Sequence, residues 1–444
     1  MKIKSFSYRK GIKLPGLYKQ KKEELKCINI DAPKRVYISV KQVRGPLPVV
    51  SVAVNDVVKI GSVVAVNGDN KVFSSVSGVV EKVVQMQSVY GDYCSTVVIK
   101  NDFKDEKLDS LNPVNTELDD EVFLQNIKEL IKEHNIVDYD GFSLYSKLTD
   151  QSNAKTIKQL VINAVTDEPY TTNNLILFRD KLEEISLGAE ILAKLFNTSL
   201  VRFAVTKGFG KQVQSFTTAI GSGNGIKYEI AKFPDLYPVG DEREMYKAIT
   251  KRELKLGLSS RTKGIAIIDL YTVYNLGVLL KTGVCDIDRL LTVWIKTRKG
   301  AESFNAWVRV GTKIADLISS VSPDKFNGIH KLVAGGPMRG IALGSENVPI
   351  VKGLKSVLLF TDRIQDEPKE TSCISCNKCI DVCPRGLNPK EIERHVINGD
   401  YVKAKKLGAT YCSKCGCCSY VCPAKRYLVQ RVSYARDTIR EKGI

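Results

Sequence analysis

The chain has 444 residues, with 67 Lys and Arg against 49 Asp and Glu and a formal net charge of +18. This length predicts two to four domains, and a hydrophobic content of 43% is ample for folded cores. No run of about eighteen apolar residues occurs, so the sequence predicts no membrane-spanning segment, and no apolar run follows the basic start to make a signal peptide.

The basic residues are spread along the chain instead of forming clusters, and no nucleic-acid-binding motif accompanies them. The charge is therefore interpreted as favouring an anionic membrane face or an acidic redox partner such as ferredoxin or flavodoxin, and no nucleic acid is expected as a partner. Nine of the twelve cysteines fall within residues 373–422, which is typical of a protein from a reducing compartment.

Residues 35–100 are rich in valine and alternate apolar with polar positions between Gly, Asp and Asn, which predicts short strands. Two segments, 54–65 and 73–83, resemble the two halves of a lipoyl-like barrel-sandwich, so we predict an N-terminal barrel-sandwich domain over residues 1–105. The lysine that carries lipoate in true carriers has no clear counterpart here, and the domain is interpreted as structural.

A polar, acidic stretch at residues 106–122 indicates a linker. Beyond it, amphipathic helical patterns alternate with short buried-strand patterns, which predicts an α/β domain with parallel strands over residues 120–261. A further small α/β unit is predicted over residues 262–345. The expected fold class is therefore multidomain α/β and α+β.

Two cysteine ladders follow, and both have the spacing C-x2-C-x2-C-x3-C-P. They are Cys373, Cys376, Cys379 and Cys383, closed by Pro384, and Cys412, Cys415, Cys418 and Cys422, closed by Pro423. This spacing is typical of bacterial ferredoxins, in which each ladder gives three thiolates to one four-iron cluster and its fourth thiolate to the other cluster. It disfavours a disulfide scaffold or structural zinc.

The ladders predict a helical ferredoxin domain with two [4Fe-4S] clusters over residues 365–430, followed by a C-terminal helix at 431–444. One cluster is assigned to Cys373, Cys376, Cys379 and Cys422. The other is assigned to Cys412, Cys415, Cys418 and Cys383. Cys417 is an additional thiol in the second ladder without an assigned role.

The order of these blocks resembles the RnfC component of the Rnf electron-transport complex over about residues 10–425. The resemblance is carried by "GIKLP" at Gly11–Pro15, "INAVTDEPY" at 162–170, "YPVGDE" at 237–242 and "AGGPMRG" at 334–340, ahead of the two ladders. It implies that the α/β domain is similar to the flavin subunit of respiratory complex I and that residues 262–345 form an SLBB-like unit with a ubiquitin-like fold.

The resemblance also implies a function. The chain would be a peripheral protein on the cytoplasmic face of the cell membrane, an oxidoreductase or translocase subunit that passes electrons between a donor and membrane subunits. The donor would be NADH acting through FMN, or ferredoxin or flavodoxin. Soluble relatives of the family serve proline reductase or cobalamin reduction, and an accessory role of that kind is the alternative.

The family's flavin and NADH site maps onto nine residues of this chain by resemblance. They are Gly141, Phe142, Lys147, Asn163, Glu168, Tyr237, Gly240, Glu242 and Thr272. The glycine-rich flavin loop of the family, however, is replaced here by "DYDGFSL" at 138–144, which places Asp138 and Asp140 where an anionic phosphate is expected.

Three interpretations of this departure stay open. FMN binds with adjusted contacts, or a bound flavin takes electrons from a protein donor instead of NADH, or the α/β domain holds no cofactor and is a docking platform for an iron–sulfur adaptor. Glu168 is the residue expected most strongly to keep a role, because it follows a buried strand at the edge of the sheet where such folds bind ligands.

Overall fold

The computed structural model describes residues 2–14, 25–43, 45–108, 111, 113–114, 121–138, 141–149, 156–166, 168–206, 225–284, 286–297, 300–321, 328–361 and 369–443. Most of the predicted linker at 106–122, and Asp140, lie outside these residues. Within them, no helix combines the length and the apolar character needed to cross a membrane.

Two small sheets form the barrel-sandwich near the N-terminus. Their strands are β3 (Arg35–Ser39), β4 (Val49–Val50), β5 (Val57–Val58), β6 (Val63–Asn67), β7 (Asn70–Phe73), β8 (Gly78–Gln87) and β9 (Tyr93–Asn101). One sheet has the order β3-β9-β8-β5 and the other the order β4-β6-β7. Valines on the inner faces, including Val36, Val64 and Val97, are fully buried and form one core, as expected for alternating strands.

A five-stranded parallel sheet forms the centre of the α/β domain. Its strands are β1 (Lys2–Ser5), β10 (Gln159–Asn163), β11 (Leu200–Thr206), β12 (Lys227–Phe233) and β13 (Ile265–Asp269). The helices of the domain are α1 (Glu121–Glu133), α2 (Leu144–Thr149), α3 (Asn173–Asp180), α4 (Leu182–Leu195), α5 (Glu242–Thr250) and α6 (Leu270–Thr282). Successive residues of β10 are buried on both faces of the sheet, which is why this strand is a continuous apolar run.

The strand order, β1-β12-β11-β10-β13, contains a topological switch point. The chain runs from β10 outward through β11 to β12, and then returns to place β13 on the other side of β10. Asn163 and Asp269, the last residues of β10 and β13, are register partners at this point. Open α/β sheets bind ligands in the crevice outside the carboxyl ends of such strands.

The strands of a six-stranded mixed sheet are β2 (Cys27–Ile30), β14 (Asp288–Thr297), β15 (Gly300–Arg309), β16 (Lys331–Ala334), β17 (Ile341–Leu343) and β18 (Ser356–Phe360). Their order in the sheet is β17-β16-β18-β14-β15-β2. Helix α7 (Ile314–Val321) accompanies this sheet. A separate apolar core lies between this sheet and α7.

One predicted boundary needs correction. Strand β13 and helix α6, assigned above to the 262–345 unit, belong to the α/β domain, because β13 pairs in parallel with β10 along its whole length. Helix α6 also crosses α4 closely, since a Cβ on Gly277 would lie 1.9 Å from the Glu184 carbonyl oxygen. At the N-terminus, β1 pairs with β12 and β2 pairs with β15, so these two strands join the sheets of the neighbouring units.

The cysteine ladders lie in a small helical domain. Its helices are α8 (Lys378–Asp381), α9 (Pro389–Ile397), α10 (Tyr401–Lys406), α11 (Cys417–Tyr420) and α12 (Leu428–Glu441). The two ladders enter equivalent helix pairs, α8–α9 and α11–α12, as expected for a duplicated unit. Helices α9, α10 and α12 share a buried apolar core.

We call this helical domain, residues 369–443, the cluster domain, after the clusters that its ladders predict. Arg385, two residues after Cys383, joins it to the α/β domain. Its side chain is only 5% exposed, and its Nε lies 3.1 Å from an oxygen of Glu244, which is fully buried on α5. The other Glu244 oxygen accepts a hydrogen bond of 3.0 Å from the Tyr8 hydroxyl. Burial raises the pKa of Glu244, and the Arg385 guanidinium opposes that shift because it favours the charged carboxylate.

We expect Arg385→Ala to lower the free energy of unfolding by about 3–5 kcal/mol, because it leaves a buried carboxylate without its cation. Adding Glu244→Gln should recover part of this loss, because the amide is neutral and still accepts from Tyr8. Urea unfolding of anaerobically purified protein, followed by circular dichroism, measures both changes.

Arg394→Ala is the matched control, because Arg394 is 65% exposed and pairs with Glu391 on the surface of α9. We expect it to cost about 0–1 kcal/mol. Equal effects of the two arginine substitutions would contradict the role given to the buried pair.

Candidate functional site

Two small cavities in the cluster domain are lined by cysteines from both ladders. The first is lined by Cys373, Cys376, Cys379 and Cys422. The second is lined by Cys383, Cys412, Cys415 and Cys418, together with Cys417. Each cavity thus takes three cysteines from one ladder and the fourth from the other, and the two sets are the ones that the spacing predicts.

The same backbone path brings the thiols together in both ladders. Ser375 and Asn377 in the first ladder, and Lys414 and Gly416 at the equivalent positions of the second, all have left-handed backbone conformations with φ between 53° and 80°. Non-glycine residues rarely adopt this conformation. Its repetition at matched positions winds each loop tightly, so that three side chains face one cavity.

The chemistry of these cavities fits a four-iron cluster better than a single ion. Among the described residues, no three His, Cys, Asp or Glu side chains converge closely enough to hold one metal ion. A four-iron cluster needs a different arrangement, because each thiolate binds a different iron and the sulfurs surround a cavity. Backbone N–H groups of Leu387 and Lys414 point at the sulfurs of Cys383 and Cys412, each at 3.4 Å.

The two cavities differ in exposure. Cys373 and Cys376 are exposed, whereas Cys383, Cys415 and Cys418 are buried. Burial raises the pKa of the Cys383 thiol to about 11, so metal binding at neutral pH would displace its proton. The first cavity therefore lies near the protein surface and the second lies in the interior.

Cys417 lies at the start of α11 and is fully buried. Its Sγ is 3.9 Å from the Tyr237 carbonyl oxygen, to which it donates. The thiol is therefore engaged with the α/β domain, although it also lines the second cavity.

A cleft of about 1030 Å³ opens at the switch point of the parallel sheet. Six of the nine residues predicted by resemblance line it, namely Gly141, Phe142, Lys147, Asn163, Gly240 and Glu242. The remaining three, Glu168, Tyr237 and Thr272, do not line the cleft, and each has a packing role described below.

Lys147 forms an ion pair with Asp138, with 2.5 Å between Nζ and Oδ2. Burial lowers the pKa of Lys147, but the carboxylates of Asp138, Glu242 and Asp269 outweigh this and raise it. The Asp138 carboxylate also accepts from the Phe142 N–H at 2.9 Å. The aspartate that replaces the family's glycine loop is therefore neutralised by the same lysine that was predicted to contact the flavin.

Asn163 and Gly240 line the cleft and are joined to each other by a hydrogen bond. The Asn163 amide donates to the Gly240 carbonyl at 2.8 Å and accepts from the Val165 N–H at 3.1 Å. A Cβ on Gly240 would lie 3.2 Å from the Val165 carbonyl oxygen, so this position requires a small residue. Glu242 is held in turn by the Ser260 hydroxyl at 2.7 Å.

The three residues outside the cleft connect structural elements. Glu168 accepts from the Met338 N–H at 3.0 Å and so holds the "GGPMRG" segment. The Tyr237 hydroxyl donates to the carbonyl of Cys415 at 2.7 Å, which links the α/β domain to the second ladder. Thr272 donates to the Asp269 carboxylate from both its hydroxyl and its N–H at the start of α6.

The sequence did not predict that residues from the mixed-sheet region and the cluster domain also line the cleft. Arg339 and Lys355 approach from the region of the mixed sheet, and Arg385, Cys412, Arg436 and Arg440 belong to the cluster domain. Among the residues that the structure describes, eight basic and four acidic side chains line the cleft. The only local signal was that Arg385 directly follows a ladder, and nothing in the sequence indicates that α12 reaches the flavin-like cleft.

Cys412 lines both the cleft and the second cysteine cavity. The interior cavity and the cleft are therefore neighbours, whereas no described residue lines both the first cavity and the cleft.

Comparison with known proteins agrees with this architecture. The family profile described as the RnfC barrel sandwich hybrid domain matches residues 6–104, and the profile described as the Nuo51 FMN-binding domain matches residues 131–278. The second match extends through β13 and into α6, as the corrected domain boundary does.

The chain is similar over most of its length to the C subunits of two ferredoxin:NAD(+) oxidoreductase complexes. It is 28% identical over 93% of its length, and 89% of the relative's, to that of the proton-translocating complex of Clostridium ljungdahlii. It is 28% identical over 84% of its length, and 83% of the relative's, to that of the Na(+)-translocating complex of Acetobacterium woodii.

The chain is also 28% identical to the C subunit of an ion-translocating oxidoreductase complex of Rhodobacter capsulatus. That alignment covers 64% of this chain and 54% of the relative. Among solved structures, an NAD+-reducing [NiFe]-hydrogenase in its H2-reduced state shares the fold, with a TM-score of 0.50 and 12% identity over 72% of this chain and 67% of the other. With the two profiles in this order and the similarity to these relatives along nearly the whole chain, the protein is RnfC-like.

Proposed function

We propose that this protein is an electron-transfer subunit of an Rnf-type complex, in which electrons pass between a donor site in the cleft and partner subunits by way of two [4Fe-4S] clusters. The observation that carries the proposal is the shared position of Cys412, which lines both the cleft and the interior cysteine cavity. The order of transfer would then be cleft, interior cluster, surface cluster and partner.

The chain's own residues support this order. Tyr237 and Cys417 hold the interior ladder against the α/β domain through main-chain contacts, and Arg385 adds a buried ion pair beside them. These contacts fix the distance between the cleft and the interior cavity. Clusters bound to the eight ladder cysteines would carry single electrons.

FMN is the proposed cofactor of the cleft, with NADH or a reduced ferredoxin or flavodoxin as donor. A bound flavin would exchange hydride equivalents for single electrons. The residues that would hold it are Gly141, Phe142, Lys147, Asn163, Gly240 and Glu242, which line the cleft. Its predominantly basic lining suits an anionic cofactor, and the Lys147 ion pair removes the repulsion that Asp138 would otherwise cause.

The partners proposed are the membrane subunits of the complex, because the relatives are named as components of such complexes. The protein would be peripheral on the cytoplasmic face of the membrane. The exposed cysteines of the first cavity make this end of the relay the side on which a partner's redox centre would dock.

The alternative is an adaptor without a flavin, and one observation favours it. Lys147, Glu168, Tyr237 and Thr272 all use their polar groups in contacts within the protein. In that case the α/β domain would serve only to dock and orient the cluster domain.

An anaerobic titration with NADH tests the proposal. We expect NADH to bleach the visible absorption of the cluster-loaded protein after incubation with FMN and not before it, because a hydride donor cannot reduce a one-electron centre directly. Dithionite should bleach both samples. Bleaching by dithionite alone, with FMN present, would instead support the adaptor or a protein donor.

The Lys147–Asp138 pair generates a second prediction. Lys147→Gln should weaken FMN binding about tenfold, because it leaves the Asp138 carboxylate unpaired in the cleft, and a tenfold change corresponds to about 1.4 kcal/mol. Asp138→Asn combined with Lys147→Gln should restore most of the affinity, because the cleft regains its original net charge. Quenching of FMN fluorescence measures both affinities; equal weakening in the two variants would mean that Lys147 contacts the flavin itself.

Iron content separates the two thiols of the second ladder. Cys415→Ser should reduce the iron of anaerobically purified protein from about eight to about four atoms per chain, because one cluster loses a ligand. Cys417→Ser, two residues away, should keep both clusters, since its Sγ is directed at the Tyr237 carbonyl. Loss of iron from both variants alike would contradict the ligand assignment.

A further inference from the structure

The loop at residues 335–340, between strands β16 and β17, packs against the second cysteine ladder. Met338 of this loop joins an apolar cluster that contains Cys415 and Cys417. Gly416 lines the interior cavity, and a Cβ on it would lie 3.0 Å from the Met338 carbonyl oxygen. The main chain of the loop is therefore close to the ladder that forms this cavity, and the next residue of the loop is Arg339.

Tyr237 contacts both Arg339 and the second ladder. The guanidinium carbon of Arg339 is 5.9 Å from the centre of the Tyr237 ring. The hydroxyl of the same ring donates to the Cys415 carbonyl at 2.7 Å. Tyr237 and Cys415 are both buried. One aromatic ring and one hydrogen bond thus connect the guanidinium to a cysteine of the interior cavity.

Arg339 keeps its positive charge in this position. Its Nη2 lies 3.2 Å from an oxygen of Asp241. Burial lowers the pKa of Arg339, but the acidic groups around it outweigh burial and raise this pKa well above its ordinary value. Those groups are Tyr237, Asp241, Glu168 and the Cys415 thiol.

The carboxylates near Arg339 also have other partners. Asp241 lies 3.9 Å from Nη2 of Arg385, and Glu168 accepts from the Met338 N–H at 3.0 Å. These contacts do not involve Arg339, so they hold both carboxylates in place without it. Removing the guanidinium therefore makes the surroundings of the interior cavity more negative, even though Arg339 is ion-paired.

The charge of Arg339 bears on the chemistry proposed for that cavity. Reduction of a four-iron cluster adds one electron and hence one negative charge, and its potential responds to the charge and the solvent exposure around it. A nearby cation stabilises the added charge, and it does so most where water is excluded. Cys415 is only 7% exposed, whereas Lys378, a cation that lines the surface cavity, is exposed to solvent.

We propose that Arg339 raises the reduction potential of the interior cluster and leaves that of the surface cluster unchanged. The inference rests on the proposed electron relay, and it adds a residue that decides how readily the interior cluster accepts an electron from the cleft. Arg339 is not among the nine residues predicted by resemblance to hold flavin or NADH.

A redox titration of anaerobically purified protein with dithionite, followed by electron paramagnetic resonance, tests the proposal. Cys415→Ser, which should keep only the surface cluster, identifies the signal of that cluster. We expect Arg339→Gln to lower the ratio of reduced to oxidised interior cluster about tenfold at a fixed potential, because a partly buried cation is lost. For a one-electron centre this is a potential about 59 mV more negative. Arg339→Lys, which keeps the charge, should shift the potential less.

Asp241→Asn is the complementary variant, because it removes a negative charge next to Arg339. Asp241 caps helix α5 by accepting from the Arg243 N–H at 3.1 Å, and asparagine caps helices equally well. We expect this variant to raise the potential of the interior cluster, opposite in sign to Arg339→Gln. Both variants break the ion pair, so a merely structural role of the pair would shift the potential in one direction in both.

Lys378→Gln is the matched control, since it removes one positive charge beside the surface cavity from an exposed loop. It should leave the interior potential unchanged. Any shift of the surface cluster should disappear in 1 M salt, where exposed charges are screened within about 3 Å. The shift caused by Arg339→Gln should persist there, because partly buried charges are screened less.

The proposal is overturned if Arg339→Gln leaves the interior potential unchanged, if it shifts both clusters equally, or if Asp241→Asn lowers the interior potential. If Arg339→Gln loses the interior cluster, the sign of the Asp241→Asn shift decides. Iron content is measured on the same samples. About eight iron atoms per chain with unchanged potentials would remove this inference alone, whereas fewer than about eight in the wild type would count against the relay itself.

Discussion

The buried contact between Arg385 and Glu244 is the constraint on which the arrangement of the molecule depends. It joins a loop of the first cysteine ladder to the parallel sheet domain, and Tyr8 extends it to the N-terminal segment. An ion pair of this kind tolerates little displacement, because separating the partners leaves two desolvated charges. It therefore holds the cluster domain in one position against the cleft, which a flexible linker could not do.

Near that contact, two residues predicted by resemblance to bind the ligand instead form hydrogen bonds between domains. Glu168 holds the segment containing Met338, and Tyr237 holds the ladder at Cys415. Both contacts use main-chain groups of the neighbouring element, so they fix backbone positions. The α/β domain lacks the glycine-rich loop of the family. Part of the wall of its cleft is formed by residues of the cluster domain.

The local sequence pattern predicted many of the strands and helices. It did not predict which strands pair when they are distant in the sequence. The valine-rich strands, the helices α4 and α12 and the grouping of the ladder cysteines follow from periodicity and spacing, which act over a few residues. Strand β1, however, pairs with β12 more than two hundred residues away, and its four exposed residues carry no core pattern. The neutralisation of Asp138 by Lys147 was equally hidden, because it depends on the turn that brings them together.

The crosswise sharing of cysteines has a consequence for biogenesis. Three thiols of the surface cavity come from the first ladder, but the fourth, Cys422, belongs to the second ladder and is made after them. Neither cavity is complete until the ribosome has passed both ladders and α9 and α12 have packed. Metal insertion would thus follow folding of the whole domain. A chain truncated between the ladders would expose thiols without metal and would not bind even one cluster.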